Sequence, residues 1–133
     1  MPTGRSTRPG TPWTRWAPQR QFDHKLLVVH GGSCHTSYAP SNPPWGNGAL
    51  TGTPGMEDIT TVALGRGMTV ASTALDNSGV DCDPALQAES ILMVKQHIVD
   101  AYGDLRYTIG EGCSGGSLAE QWMQNAYPGL YQG

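Results

Sequence analysis

Apolar and polar positions along this chain fall into short blocks. Leu26-Leu27-Val28-Val29 is a continuous apolar run, the pattern of a strand buried on both faces, and the polar, glycine-rich His30-Gly31-Gly32-Ser33 follows it. Pro, Asn and Gly then predict a long loop from about Ser37 to Gly55. Asp58 predicts the N-cap of a short helix, Ile59 to Leu64, which Gly65 and Gly67 end. Met68 to Leu75 reads as a second strand, with Val70 and Thr73 supplying β-branched character. Asp76 to Asp83 reads as polar turn. Asp83-Pro84 is a helix start, an acid at the N-cap and proline at the first helical position. Ala88, Ile91, Leu92, Val99 and Tyr102 then share one helical face that Lys95 interrupts, and Gly103 stops the helix. Leu105 to Ile109 is a third apolar run. Ser117 to Tyr127 predicts a last helix, in which Leu118, Trp122 and Ala126 recur every four residues, and Pro128-Gly129 ends it.

Strand and helix alternate three times. That order predicts an α/β fold with a parallel sheet, right-handed crossovers and three α-β-α layers. Residues 26–133 are expected to form this domain. Residues 1–25 differ in kind: they hold Arg5, Arg8, Arg15, Arg20 and Lys25, five of the eight basic residues, among four prolines and two tryptophans. With no apolar core to this stretch it is not a signal peptide, and it reads as a poorly ordered lead-in. A net charge of −3 gives no reason to expect nucleic acid or an anionic membrane as partner, and no apolar run is long enough to span a bilayer.

The chemistry concentrates at Gly112-Cys113-Ser114-Gly115-Gly116, a G-x-S-x-G motif between the third strand and the last helix. Strand, glycine turn and helix are the setting of a nucleophile elbow, which presents a serine hydroxyl on a sharp turn. Ser114 is the candidate nucleophile. The N–H of Gly115 is the first oxyanion donor, and Gly32 or Ser33, in the glycine loop after the first strand, supplies the second. Two other readings use the same glycines. Gly110, Gly112 and Gly115 also satisfy G-x-G-x-x-G, the dinucleotide fingerprint, but two strand–helix units precede them, no acidic residue follows at the required distance, and Glu111 places a carboxylate in the turn. The other is a tight turn with no chemistry.

His24, His30, His35 and His97 all precede Ser114, whereas in this type of hydrolase the acid and then the histidine follow the serine. His30 is therefore expected to brace the oxyanion loop, and Glu120 to lie along a helix away from the site. Cys34, Cys82 and Cys113 fit no zinc spacing, so no metal site and no cofactor are expected. His30, Cys34, His35 and Cys82 are the weaker alternative as ligands. Cys34 and Cys82 fall at the same sheet edge and read either as a bridge or as two free thiols.

His30-Gly31-Gly32-Ser33-Cys34, Met93-Val94-Lys95, Tyr107-Thr108-Ile109-Gly110, Gly112 to Ser117 and Tyr127-Pro128-Gly129-Leu130 together resemble a bacterial α/β-hydrolase-like family of unknown function, distantly similar to tannases and feruloyl esterases. The similarity runs over roughly Arg20 to Gly133. It implies a secreted or periplasmic serine esterase with a small-molecule ester substrate and a much longer chain, of which this sequence resembles the N-terminal part. Ser114 matches the nucleophile, Gly31-Gly32 the oxyanion region, and Cys34 and Cys82 recurrent cysteine positions, which favours the bridge. The triad acid and histidine would come from a missing C-terminal segment. Glu111 departs from the expected neutral or aromatic residue.

Overall fold

The computed structural model describes residues 14–37, 39–44 and 58–133. Most of the loop expected at 37–55, and residues 1–13 of the expected lead-in, lie outside them. Three strands, β1 (Lys25–Val29), β2 (Thr69–Ala71) and β3 (Tyr107–Glu111), form one sheet in the order β2-β1-β3. Both pairings are parallel, with Leu27 opposite Val70 on one side and Ile109 on the other. The helices are α1 (Ile59–Gly65), α2 (Pro84–Tyr102) and α3 (Gly115–Ala126).

The apolar run of β1 makes it the central strand. Leu26 and Val28 pack with Ala88, Ile91 and Ile98 of α2, Ala119 and Met123 of α3, and Leu130 and Tyr131. Leu27 and Val29 face the other way, onto Ala63 of α1 with Met68, Val70 and Ile109. Helices therefore cover both faces, and the fold is a small three-layer α/β one. β1 leads to a strand on its one side, while β3 lies on its other side. The connections after β1 and β3 leave toward opposite faces, and it is at the carboxyl ends of such a switch in strand order that open α/β sheets hold their ligands.

The caps form where the sequence puts them. Asp58 accepts from the Thr60 N–H, and Asp83 from those of Ala85 and Leu86, with Pro84 next. The expected second strand is cut to three residues. Thr73 and Asp76 form a reciprocal capping box on a 3-10 turn, Ala74–Asp76, and so divert the backbone away from the sheet.

Two helical faces also differ from expectation. Leu118 and Trp122 are 38% and 43% exposed, and the buried side of α3 is Gly115, Gly116, Ala119 and Met123. Small residues let α3 lie close to the sheet, and the larger i, i+4 stripe is left outside. On α2, Leu92 is exposed while Gln87 and Ser90 are buried. Lys95, which breaks the apolar stripe, gives its Nζ to the Leu130 carbonyl at 2.7 Å.

Residues 132–133 lie parallel to the outer edge of β3: Gln132 N–H donates to the Thr108 carbonyl and Gly110 N–H to that of Gly133. Before β1, Phe22 is buried, Arg15 pairs with Asp100 at 3.4 Å, and Asp23 accepts Lys25 at 2.6 Å. Packing thus begins ahead of the boundary expected at residue 26.

Candidate active site

Ser114 stands between β3 and α3 with φ 57° and ψ −113°. A positive φ is costly for a residue with a side chain, and together with this ψ it lies outside even the small left-handed region. Strain of this kind persists only where the surroundings enforce it. Here they do. A Cβ on Gly112 would lie 2.7 Å from the backbone of Gly116, and one on Gly116 only 3.1 Å from the Gly31 carbonyl. The chain doubles back on itself at this point, and only glycine on either side of Ser114 allows it. Ser114 is exposed and its side chain makes no cap bond to α3.

The glycine loop after β1 arrives at the same place. A Cβ on Gly115 would overlap the carbonyl of Ser33 and would lie 2.9 Å from the Ser33 nitrogen. One on Gly32 would lie 3.5 Å from the carbonyl oxygen of Cys113. Ser33 is itself left-handed, at φ 69°. The N–H of Gly115 is the first of α3 and has no intrahelical acceptor. Among the described residues no hydrogen bond takes the N–H of Gly32, Ser33 or Gly115. Donors without acceptors beside a strained serine at a helix N-terminus make a surface suited to negative charge.

The segment behind the loop holds it. Gly31 N–H donates to the Asp76 carbonyl at 2.9 Å, His35 N–H to Ser78, Cys82 N–H to His35, and Ser37 N–H to Val80. A disulfide joins Cys34 and Cys82, whose Cα atoms are 5.1 Å apart. Those sulfurs therefore cannot serve the alternative ligand set of His30, Cys34, His35 and Cys82. Cys113 is free and exposed.

His30 lies beneath the turn. Its Cβ touches the spaces beside Gly112 and Gly116, its N–H donates to the Glu111 carbonyl, and its Nε2 shares a 2.6 Å hydrogen bond with the Tyr131 hydroxyl. Burial pushes its pKa down to about 4, so it is neutral at pH 7. Burial also raises Asp76 to about 7, against the opposing hydrogen bonds of Thr73. Glu120 turns in against Gly110 rather than along its helix. Burial and then the charge of Glu111 raise it to about 7. Glu111 is half-buried and held above its usual range by burial and by Asp58.

The structure thus brings together Ser114, Gly115, Gly32 and Ser33, as the motif spacing suggests. No histidine joins them: among the described residues none hydrogen-bonds Ser114. His24 sits at the opposite end of β1, bonded to the Asp104 carbonyl. Asp76, Asn77, Ser78 and Gln87 escape sequence reasoning, because a polar stretch reads as solvated turn. The one available signal was Thr73-x-x-Asp76, a capping-box spacing.

Sheet order and layers define a small three-layer α/β protein, with the strained strand-to-helix turn at the carboxyl edge of its sheet. The chain belongs to a tannase-like family of unknown function, whose model matches residues 6–133. Neither a curated protein nor a solved structure matches it.

Proposed function

We propose that this chain carries the nucleophile and oxyanion donors of an acyl-bond hydrolase acting on a small-molecule ester. One observation carries the reading: Ser114, a residue with a side chain, occupies φ 57°, ψ −113° at a glycine-flanked strand-to-helix turn. The loop of Gly32 and Ser33 against Gly115 supports it, and so does membership of a tannase-like family. Ser114 Oγ attacks the ester carbonyl. The N–H of Gly115, with that of Gly32 or Ser33, receives the developing oxyanion. The general base is a histidine supplied from outside the described residues, since His30 is neutral, buried and bonded to Tyr131. The Cys34–Cys82 bridge supports an oxidising compartment, hence a secreted or periplasmic protein. No helix among the described residues is long and apolar enough to cross a membrane.

That no histidine among the described residues hydrogen-bonds Ser114 favours a second reading, in which these residues by themselves bind but do not turn over. Hydrolysis of a chromogenic short-chain ester separates the two. The chain alone is expected to match Ser114→Ala, and a form carrying a triad histidine and acid to exceed it by at least about 10³. Equal rates in that completed form would discard the hydrolase reading. The dinucleotide reading has less support, because the Ser33 carbonyl occupies the approach to Gly115 where pyrophosphate must lie.

A further inference from the structure

Beneath the Ser114 turn, side chains from four parts of the chain meet around one hydroxyl. Tyr131, 4% exposed, places its hydroxyl 2.6 Å from His30 Nε2, with the two rings edge to face. The charges of Asp76, from the 3-10 turn, and of Glu120, from α3, both act on that hydroxyl and disfavour its ionisation. Asp76 is 1% exposed. Its Oδ2 accepts from the Thr73 N–H, and among the described residues no hydrogen bond reaches its Oδ1. Glu120 Oε1 is likewise buried without such a bond, and it lies on Gly110, where a Cβ would stand 3.1 Å from it. Gly110 is also the residue whose N–H holds the Gly133 carbonyl. Residues 130–133 therefore lie against both ends of this cluster. They are tied down by Gln132 N–H on the Thr108 carbonyl, Thr108 N–H on Gln132 Oε1, and Lys95 Nζ on the Leu130 carbonyl.

We propose that Asp76 and Glu120 act together as a proton-operated latch on residues 130–133. With both carboxyls protonated, the segment lies along β3 with Tyr131 on His30. With both ionised, two like charges converge on one neutral phenol in a buried setting. The segment then swings out, which lets water reach the carboxylates and bares the underside of the Ser114 turn. The other titratable groups packed there do not cancel those charges. His30 is neutral, Lys95 is engaged at Leu130, and Glu111, itself under the negative charge of Asp58, adds to the repulsion on Glu120. Burial, joined at Glu120 by the charge of Glu111, brings both carboxyls to about 7, so the latch works in the neutral range. Each acid binds its proton more tightly in the closed form than in water. Opening is therefore opposed at low pH and eases until pH reaches about 7. This inference does not depend on the hydrolase reading.

Amide hydrogen exchange of the 133-residue chain, corrected for the intrinsic rates, tests it. As pH rises from 5 to 8, the amides of residues 130–133 and of Gly110 are expected to lose protection while those of β1 stay closed. Combining Asp76→Asn with Glu120→Gln removes both titrations and keeps the oxygen that accepts from Thr73. The protection of residues 130–133 in that variant, divided by that in wild type, is expected to grow by at least about 50-fold from pH 5 to 7 and to level above it. A ratio that does not change with pH overturns the latch. Release of residues 130–133 only together with β1 overturns it as well, since the segment then has no opening of its own. Where the double variant fails to fold, the wild-type chain decides: equal protection of residues 130–133 at pH 5 and pH 8 contradicts the proposal.

Discussion

At the amino end of the sheet, His24 Nδ1 meets the Asp104 carbonyl at 2.8 Å, Arg15 meets Asp100 across solvent, and Gly65, which ends α1, has open space where a Cβ would stand. At the carboxyl end, Gly112 presses on Gly116, Gly115 on Ser33, Gly31 on Asn77, and a disulfide closes the loop behind them. The first end combines such exposed contacts with one close backbone approach, Gly67 on the Gln21 carbonyl. The second is held by backbone against backbone, with a strained serine at its centre. Close approaches gather most densely where the backbone is strained, which is how surroundings hold such a conformation in place.

Glycine substitutions should break this contrast most visibly. Gly115→Ala drives a methyl group into the Ser33 carbonyl, which cannot swing aside as a side chain can, and should cost more than about 3 kcal/mol in urea unfolding. Gly65→Ala meets nothing within 4 Å and should stabilise by about 0.5–1 kcal/mol through helix propensity. Equal effects would remove the asymmetry between the ends. Replacing both Cys34 and Cys82 by alanine should cost about 2–4 kcal/mol by denaturant titration.

The buried groups at the carboxyl end oppose one another in pH. His30 has its folded pKa pushed down to about 4 from 6.5. The unfolded chain then binds the proton more readily, and stability is complete above about 6.5 and is lost as pH falls toward 4. Asp76 is raised from 3.8 to about 7, so its contribution runs the other way and declines as pH rises through the same range. Glu120, half-exposed, adds a smaller change of the Asp76 sign. Wild-type stability should therefore vary little between pH 4 and 6.5. Asp76→Asn keeps the oxygen that accepts from Thr73 but not the titration. Its unfolding free energy should climb by about 3 kcal/mol from pH 4 to 6.5, the size of the His30 shift. A flat profile in that variant would mean that His30 is not held neutral. Tyr131→Phe removes the partner of His30 Nε2 and should cost about 1–2 kcal/mol, measured by the urea midpoint.

Sequence reading recovered the parts that depend on local chemistry. Asp58, Asp83 and Pro84 cap as expected because capping needs only the residues within one turn. β1 was legible because burial on both faces leaves an unbroken apolar run. The faces of α2 and α3 were misjudged, since periodicity ranks residues by size and apolarity. The sheet instead accepts Gly115, Gly116 and Ala119, whose smallness brings α3 close. The support of the loop was least visible. Asp76 and Asp81 look like solvated turn residues, and their burial depends on chain segments some 40 residues away in sequence, Gly31 to Ser37. At the candidate site, the glycine spacing located the strained turn at Ser114 and the Gly32–Ser33 loop against it, while the geometry that sets Asp76 and Gln87 behind them exists only in three dimensions.

The most direct test of the proposed nucleophile Ser114 is labelling with a fluorophosphonate followed by peptide mapping, in a form that carries a histidine and an acid placed to complete the proposed triad. The account predicts a single adduct on Ser114 that Ser114→Ala abolishes. An adduct on another residue, or labelling that survives Ser114→Ala unchanged, would contradict it.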